Sequence, residues 1–140
     1  MTLRIDPSRF ENVFIYVSDA FRYDYVPESL SAYGSATKTI PGGVATPTSF
    51  STLLTGQHPP THGVYRFAHR LDSDLLTFYD FFPQGSFVTG KKYSAPLRDT
   101  LNLAQFSEEG VSTLDTPFAC VVRDLSTHHP YPITSEGRDW

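Results

Sequence analysis

Apolar residues gather into a few short runs that end at polar turns. Residues 12–17 form the first run, which is rich in β-branched and aromatic side chains. Ser18 and Asp19 follow it directly. A second run of the same kind spans residues 118–122 and also ends at polar residues. Short continuous apolar runs are typical of strands that are buried on both faces of a parallel sheet. We therefore predict two such strands, with residues 13–17 central.

Helix signals lie between these two runs. Thr46 and Pro47 predict a helix that continues to Thr55, with Thr46 as its N-cap and Pro47 at the first helical position. Gly56 supplies the C-terminal stop. Weaker signals predict a helix at 75–82, a strand at 86–89 and a helix at 100–107. Strands that alternate with helices indicate an α/β fold, in which helices flank a parallel or mixed sheet.

The composition is that of a folded domain. The chain has 140 residues, the size of one domain, and it is 39% hydrophobic and 14% aromatic, which is enough for a core and too apolar for disorder. The single cysteine, Cys120, excludes an intrachain disulfide. A formal net charge of −4 excludes the basic footprint of a nucleic-acid-binding protein.

The N-terminal residues carry no apolar segment of the kind that a signal peptide requires. No apolar run approaches the roughly 20 residues of a membrane-spanning helix. We therefore predict a cytoplasmic protein without a membrane partner.

Three polar groups follow strand or loop ends, where open α/β sheets bind ligands. Asp19 could bind a divalent cation or cap a turn. Thr46 could be a plain N-cap, or it could face a phosphoryl or sulfuryl group bound by the helix N-terminus, where a metal would activate its hydroxyl. His128 and His129 lie in a loop stiffened by prolines and could bind a metal or donate to an ester oxygen.

These segments together resemble the sulfatase/alkaline-phosphatase superfamily. Residues 12–24, NVFIYVSDAFRYD, are similar to the strand that presents the first metal-binding aspartate of that family. Residues 46–56 resemble its nucleophile segment, and PPTHGV at 59–64 resembles the motif that follows it. Residues 118–124 and HHPY at 128–131 resemble the strand and loop of an active-site histidine. The motifs extend over nearly the whole chain, in the order of the family.

The resemblance implies an alkaline-phosphatase-like α/β fold and a metal-dependent hydrolase of small-molecule sulfate or phosphate esters. Asp19 would be a metal ligand, Thr46 the catalytic nucleophile and a second metal ligand, and His128 a catalytic group that binds substrate. His62 and Gly63 would support the turn after the helix. The cofactor would be one divalent metal ion, Ca²⁺, Zn²⁺, Mn²⁺ or Mg²⁺.

The chain departs from the pattern of this family in two ways. Thr46 stands where true sulfatases have the Cys or Ser that becomes formylglycine, and Phe50 stands where they have Arg. A direct Thr nucleophile favours phosphate-ester chemistry. The remaining metal ligands of the family lie downstream of the loop at 128–131. Residues 1–140 are therefore predicted to be the N-terminal part of a single domain, apparently truncated.

A truncated domain of this kind is expected to be inactive or weak as an isolated chain. It would also expose a sheet edge through which the chain could associate with itself. Two other interpretations compete with the enzyme. One is a non-catalytic remnant, and the other is an unrelated α/β anion-binding module in which all three candidate positions are caps and turns.

Overall fold

The computed structural model describes residues 10–90 and 94–128, and in these ranges three parallel strands form one sheet. The strands are β1 (Asn12–Ser18), β2 (Gln84–Thr89) and β3 (Phe118–Asp124). Their order is β1-β3-β2, so the last strand lies between the first two. A small α/β domain with a parallel sheet, as predicted, is confirmed.

Few helices accompany this sheet. They are α1 (Thr46–Thr55), α2 (Pro59–His62) and α3 (Ser94–Thr100). Single 3-10 turns occupy Tyr23–Tyr25, Glu28–Ala32, Phe78–Phe81 and Val111–Thr113. Within the described ranges, none of the helices has the length and apolar character needed to cross a membrane.

The bounds of α1 confirm the prediction from the sequence. Gly56 ends the helix in the left-handed conformation, at φ 66°, and its N–H donates to the Thr52 carbonyl at 2.8 Å. Glycine adopts this conformation without the steric cost that a Cβ would add.

The hydrophobic core lies on one face of the sheet. Phe87 of β2 and Val121 of β3 are fully buried there, and the Phe50 ring of α1 meets the Phe87 ring edge-on at 5.8 Å. The other buried members of the cluster are Leu54, Tyr79, Leu97, Leu101, Leu103 and Ala119.

The strand β1 lies at an edge of the sheet formed by the described residues, so its predicted central position was wrong. Phe14 and Tyr16 are 55% and 58% exposed, whereas Ile15 and Val17 pack against the core. Because successive side chains of a strand point to opposite faces, only one face of β1 is covered by the described residues. A continuous apolar run does not show whether each face is covered. The central position belongs to β3.

Two predicted helices were also misplaced. Residues 75–82 contain only the 3-10 turn Phe78–Phe81. Thr77 and Asp80 form a capping box that starts this turn, and Phe82 ends it because a residue before proline, here Pro83, favours an extended backbone. The helix expected at 100–107 lies earlier, as α3, because the left-handed backbone of Asn102, at φ 56°, ends it. The strand predicted at 86–89 is confirmed as β2.

Candidate active site

The carboxyl ends of β1 and β3 meet at one edge of the sheet. Ser18 pairs with Asp124, and the Asp19 N–H extends the pairing by donating to the Asp124 carbonyl at 2.9 Å. Asp19, Thr46 and the loop that leads to His128 gather at this edge. We call the side chains of Asp19, Thr46, Arg123 and Thr127 the edge cluster.

The Asp19 carboxylate is the centre of the edge cluster. Arg123 donates to its Oδ2 atom through Nε, at 2.9 Å, and also through Nη2. Thr46 Oγ1 donates to the same oxygen at 3.3 Å. The next turn, Tyr23–Tyr25, has Arg22 as its N-cap. Asp19 therefore caps no helix, and its side chain instead makes contacts with residues distant in sequence.

The position of Thr46 differs by one residue from the prediction. Ala45 is the N-cap of α1 and Thr46 is the first helical residue, so the prediction of Thr46 as N-cap was wrong. The Thr46 hydroxyl reaches Asp19 instead of its own helix. Pro47 takes the second helical position, where its missing N–H leaves no donor unsatisfied.

Two glycines hold α1 close to the segment that precedes it. A Cβ on Gly42 would overlap the Thr52 side chain, and a Cβ on Gly43 would overlap the Thr48 side chain. Ser49 Oγ also donates to the Gly43 carbonyl at 2.6 Å. This close approach, which only glycine permits, fixes the start of α1 and therefore the direction of the Thr46 hydroxyl.

Arg123 is the charged member of the edge cluster that the sequence did not reveal; Thr127 is the other member that was not predicted. Its side chain is 2% exposed and forms an ion pair with Asp19, while Nη1 lies 3.5 Å from Thr89 Oγ1. A buried guanidinium requires a charged partner. A basic residue at the end of an apolar run was the available signal, but its partner is 104 positions away in the chain.

Hydrogen bonds at Asp124 hold the start of the loop that leads to His128. The Asp124 carboxylate accepts the Tyr16 hydroxyl at 2.6 Å and the Ser126 N–H at 3.0 Å. Hydrogen bonds from Ser126 and Tyr16 lower the pKa of Asp124, because both stabilise the ionised carboxylate.

The same loop docks directly on Asp19. Thr127 Oγ1 donates to the Asp19 carbonyl at 2.7 Å and lies 2.9 Å from Ser18 Oγ. His128 follows at once, half-buried, and its N–H donates to the Leu125 carbonyl at 2.9 Å. His129 and the remainder of the HHPY motif lie outside the described residues.

Two oxygen atoms of the edge cluster are candidate ligands for the predicted divalent cation. Asp19 Oδ2 and Thr46 Oγ1 are 3.3 Å apart, a separation that two ligands of one cation can have. The Arg123 guanidinium contacts the same Oδ2. The part of the chain that the structure describes holds no group of three or more His, Cys, Asp or Glu side chains suited to a metal. The described residues thus offer two candidate oxygen ligands and do not complete a metal site.

His62 occupies the supporting position that the resemblance implied. It is buried, its Nδ1 accepts the Val64 N–H at 3.1 Å, and its Nε2 lies 3.1 Å from Thr52 Oγ1. Because Nδ1 accepts, Nε2 carries the proton and donates. Burial lowers the pKa of His62, which favours the neutral ring. Gly63 follows in the left-handed conformation, at φ 72°.

Comparison with known proteins finds a curated relative. The chain is similar to the low-salt glycan biosynthesis sulfotransferase Agl7 of Haloferax volcanii, with 34% identity over 135 residues. The match covers 92% of this chain and 33% of the relative, so the chain spans about a third of the relative's length. No protein-family model matches the chain, and no solved structure matches it.

This relative corrects the family and the activity expected from the sequence. It is a sulfotransferase, not a sulfatase or a phosphatase, so the expected hydrolase of sulfate or phosphate esters was wrong. The motifs around Asp19, Thr46 and His128 predicted a site for a tetrahedral anionic group. They do not specify whether water or another hydroxyl accepts that group, and this is why the motifs alone misled the prediction.

Proposed function

We propose that this chain forms part of a sulfotransferase of glycan biosynthesis, which moves a sulfuryl group from a sulfate-ester donor to a glycan hydroxyl. The observation that carries the proposal is the hydrogen bond from Thr46 Oγ1 to Asp19 Oδ2, at 3.3 Å. It places a hydroxyl beside a carboxylate at the carboxyl edge of the sheet, in a chain related to a sulfotransferase. Such an edge is where open α/β sheets bind ligands.

Thr46 is the proposed nucleophile. Its Oγ–H donates to Asp19, so the proton passes to the carboxylate as Oγ attacks the sulfur of the donor. The S–O bond of the donor breaks and its electron pair stays on the departing oxygen. His128 is proposed to protonate that oxygen. The product of this half-reaction is a sulfate ester on Thr46.

The glycan enters in the second half-reaction. One of its hydroxyls attacks the same sulfur and gives its proton to His128, which is by then neutral. The Thr46 oxygen leaves with the electron pair of the S–O bond and regains its proton from Asp19. Both side chains end in their starting protonation states, so the cycle is balanced.

Arg123 has an electrostatic and positioning part in this proposal. The site must accept a negatively charged sulfate ester next to a carboxylate, and like charges at this distance repel. The guanidinium on Oδ2 offsets the charge of Asp19 and holds the carboxylate toward Thr46. A divalent cation bound by Asp19 and Thr46 remains part of the proposal, and it would supply a lower pKa for the Thr46 hydroxyl.

The test uses the longer protein of which this chain is proposed to form part, with 4-nitrophenyl sulfate labelled with radioactive sulfur as donor and a neutral oligosaccharide as acceptor. We expect label on the peptide that contains Thr46 when the acceptor is omitted, and label on the sugar when it is added. Thr46→Ala should lower labelling by at least roughly 10²-fold, the scale of losing one main catalytic group. The matched control is Thr61→Ala, at an exposed threonine outside the edge cluster.

Two results would contradict the proposal. One is release of inorganic sulfate with no labelled sugar, which is hydrolysis. The other is equal labelling of the wild-type chain and the Thr46→Ala variant. Repeating the reaction with each of the four cations, and with a chelator, tests the metal separately.

A further inference from the structure

The segment that follows Asp19 along the chain contains a groove. It lies in the segment from Tyr23 to Thr37 and has a volume of about 730 Å³, within the range of small-molecule sites. Three residues separate Asp19 from Tyr23, so their Cα atoms are at most about 14 Å apart. The Tyr23 end of the groove therefore lies within about 14 Å of Asp19 in the edge cluster.

The groove combines aromatic surfaces with hydrogen-bonding groups. Tyr23 and Tyr33 both line it and are 50% and 89% exposed. Hydroxyls of Ser31 and Ser35 and the carboxylates of Asp24 and Glu28 also line it. An apolar surface rimmed by polar groups is typical of ligand-binding grooves, and an aromatic ring supplies a flat contact surface in such a groove.

The charge of the groove selects the kind of ligand. All of its lining residues belong to the described part of the chain, and they include two carboxylates and no Lys, Arg or His. Because Arg22 pairs with Asp24, the net negative charge of the groove comes from Glu28. This charge repels anions, and the carboxylates supply acceptors for hydroxyl groups. An uncharged sugar fits this chemistry, since its C–H face can lie on a tyrosine ring while its hydroxyls donate to carboxylates.

Backbone hydrogen bonds give the groove a defined shape. The 3-10 turns Tyr23–Tyr25 and Glu28–Ala32 are each closed, by Val26 N–H to the Tyr23 carbonyl at 3.2 Å and by Tyr33 N–H to the Leu30 carbonyl at 3.0 Å. Arg22 pairs with Asp24 at 2.6 Å. Arg22 also lies over the Tyr25 ring, 5.2 Å from its centroid.

We propose that this groove binds an uncharged sugar unit of the glycan acceptor, with Tyr33 and Tyr23 as stacking surfaces. The inference rests on the proposed sulfuryl transfer to a glycan and adds where the acceptor binds. It also assigns a preference, because the acidic lining disfavours a sugar that already carries a sulfate or carboxylate.

The experiment measures sugar binding by the chain in the absence of any sulfate donor. The probes are a neutral glucose trisaccharide and the same trisaccharide with a terminal glucuronic acid, studied by saturation-transfer NMR and calorimetry. We expect the neutral probe to bind more tightly. Tyr33→Ala should weaken its binding roughly tenfold through loss of the aromatic contact, whereas Tyr33→Phe should retain it.

Two controls separate the groove from the reaction. Tyr65→Ala removes a tyrosine that is 51% exposed and lies outside the groove, and it should leave binding unchanged. Thr46→Ala should block transfer and keep sugar binding. Sugar binding that depends on Tyr33 without any transfer would support the groove and count against the proposed function alone.

Several results would overturn the inference. They are no binding of the neutral trisaccharide, tighter binding of the acidic one, and equal weakening by Tyr33→Ala and Tyr65→Ala. Because Tyr33 is almost fully exposed, its substitution should not unfold the chain, and a binding loss can be attributed to the groove.

Discussion

Arg98 and Arg123 are both buried, at 6% and 3% exposed, but their main hydrogen-bond partners differ in kind. Arg123 donates to the Asp19 carboxylate in the edge cluster. Arg98 of α3 donates to three backbone carbonyls, those of Phe87, Leu103 and Phe106. Its Nε also lies 3.3 Å from a carboxylate oxygen of Glu108, whose side chain is exposed to solvent. The first arginine therefore balances a charge at the candidate site, and the second connects α3 to β2 and to the loop after α3.

The difference separates two regions of one small domain. Carbonyl acceptors are fixed by the fold, so a guanidinium that satisfies them contributes to stability and to little else. A carboxylate carries a full charge that can be shared with another partner. We call the buried side chains that donate to backbone carbonyls, Arg98 and Tyr79, the framework. We expect changes in the framework to alter stability alone, and changes in the edge cluster to alter both stability and reactivity.

Arg98→Met should give the largest loss of stability. It removes a charged donor and leaves buried carbonyls unsatisfied, which costs about 3–5 kcal/mol of unfolding free energy. Urea denaturation followed by circular dichroism measures the loss. The exposed residue Arg70 provides the control, since Arg70→Met should change stability by less than about 0.5 kcal/mol. Similar losses for the two variants would remove the distinction between framework and surface.

Arg123→Met should cost somewhat less, about 2–4 kcal/mol, because the side chain of Asp19 keeps 16% exposure and partial access to water. Adding Asp19→Asn removes the charge that was left unpaired. The double variant should then be more stable than the sum of the single effects by about 1–3 kcal/mol. Strictly additive effects in this cycle would mean that the ion pair does not couple the two residues.

Tyr79→Phe tests a neutral group of the framework. The Tyr79 hydroxyl donates to the Ser86 carbonyl at 2.8 Å in the core, and burial raises the pKa of Tyr79. Loss of this bond should lower the unfolding free energy by about 1 kcal/mol and leave Thr46 labelling unchanged. Tyr16→Phe is the matched variant at the edge, where the ring is exposed, and it should cost less. The reverse order would contradict the framework assignment.

His62 should give the smallest effect, visible as a pH dependence. Its pKa is lowered in the folded chain, so the unfolded chain binds a proton more readily. The stability that His62 contributes should be complete above its ordinary pKa of 6.5 and decline as the pH falls below that value. The difference in unfolding free energy between the wild type and His62→Gln, measured from pH 8 to pH 5, isolates this term. A difference that grows as the pH falls would refute the neutral-ring assignment.

Sequence patterns predicted the parts of the molecule that depend on local chemistry. The helix Thr46–Thr55 could be predicted because Pro47 favours a helix start and Gly56 a helix end through local backbone geometry. The convergence of Asp19 and Thr46 was also predicted, because the resemblance made both residues ligands of a metal, and they lie in hydrogen-bond contact. The structure confirms both.

Features that depend on partners distant in the sequence could not be predicted from it. The exposure of Phe14 and Tyr16 depends on what covers that face of the sheet. A continuous run of apolar residues does not show which residues, if any, cover it. The pairing of Arg123 with Asp19 depends on the register between β1 and β3. The relative's transferase activity depends on what enters as acceptor, which lies outside the motifs of the catalytic residues.

The position of β3 between β1 and β2 has a consequence for the order in which the chain folds. β1 pairs only with β3 among the described strands, and the contact between Asn12 and Phe118 spans 106 positions. Closing a loop of that length costs about 4 kcal/mol in chain entropy before any pairing is gained. Contacts this distant in sequence also favour slow folding. During synthesis on a ribosome, β1 must therefore wait, with its aromatic side chains exposed, until nearly all of the described chain has emerged.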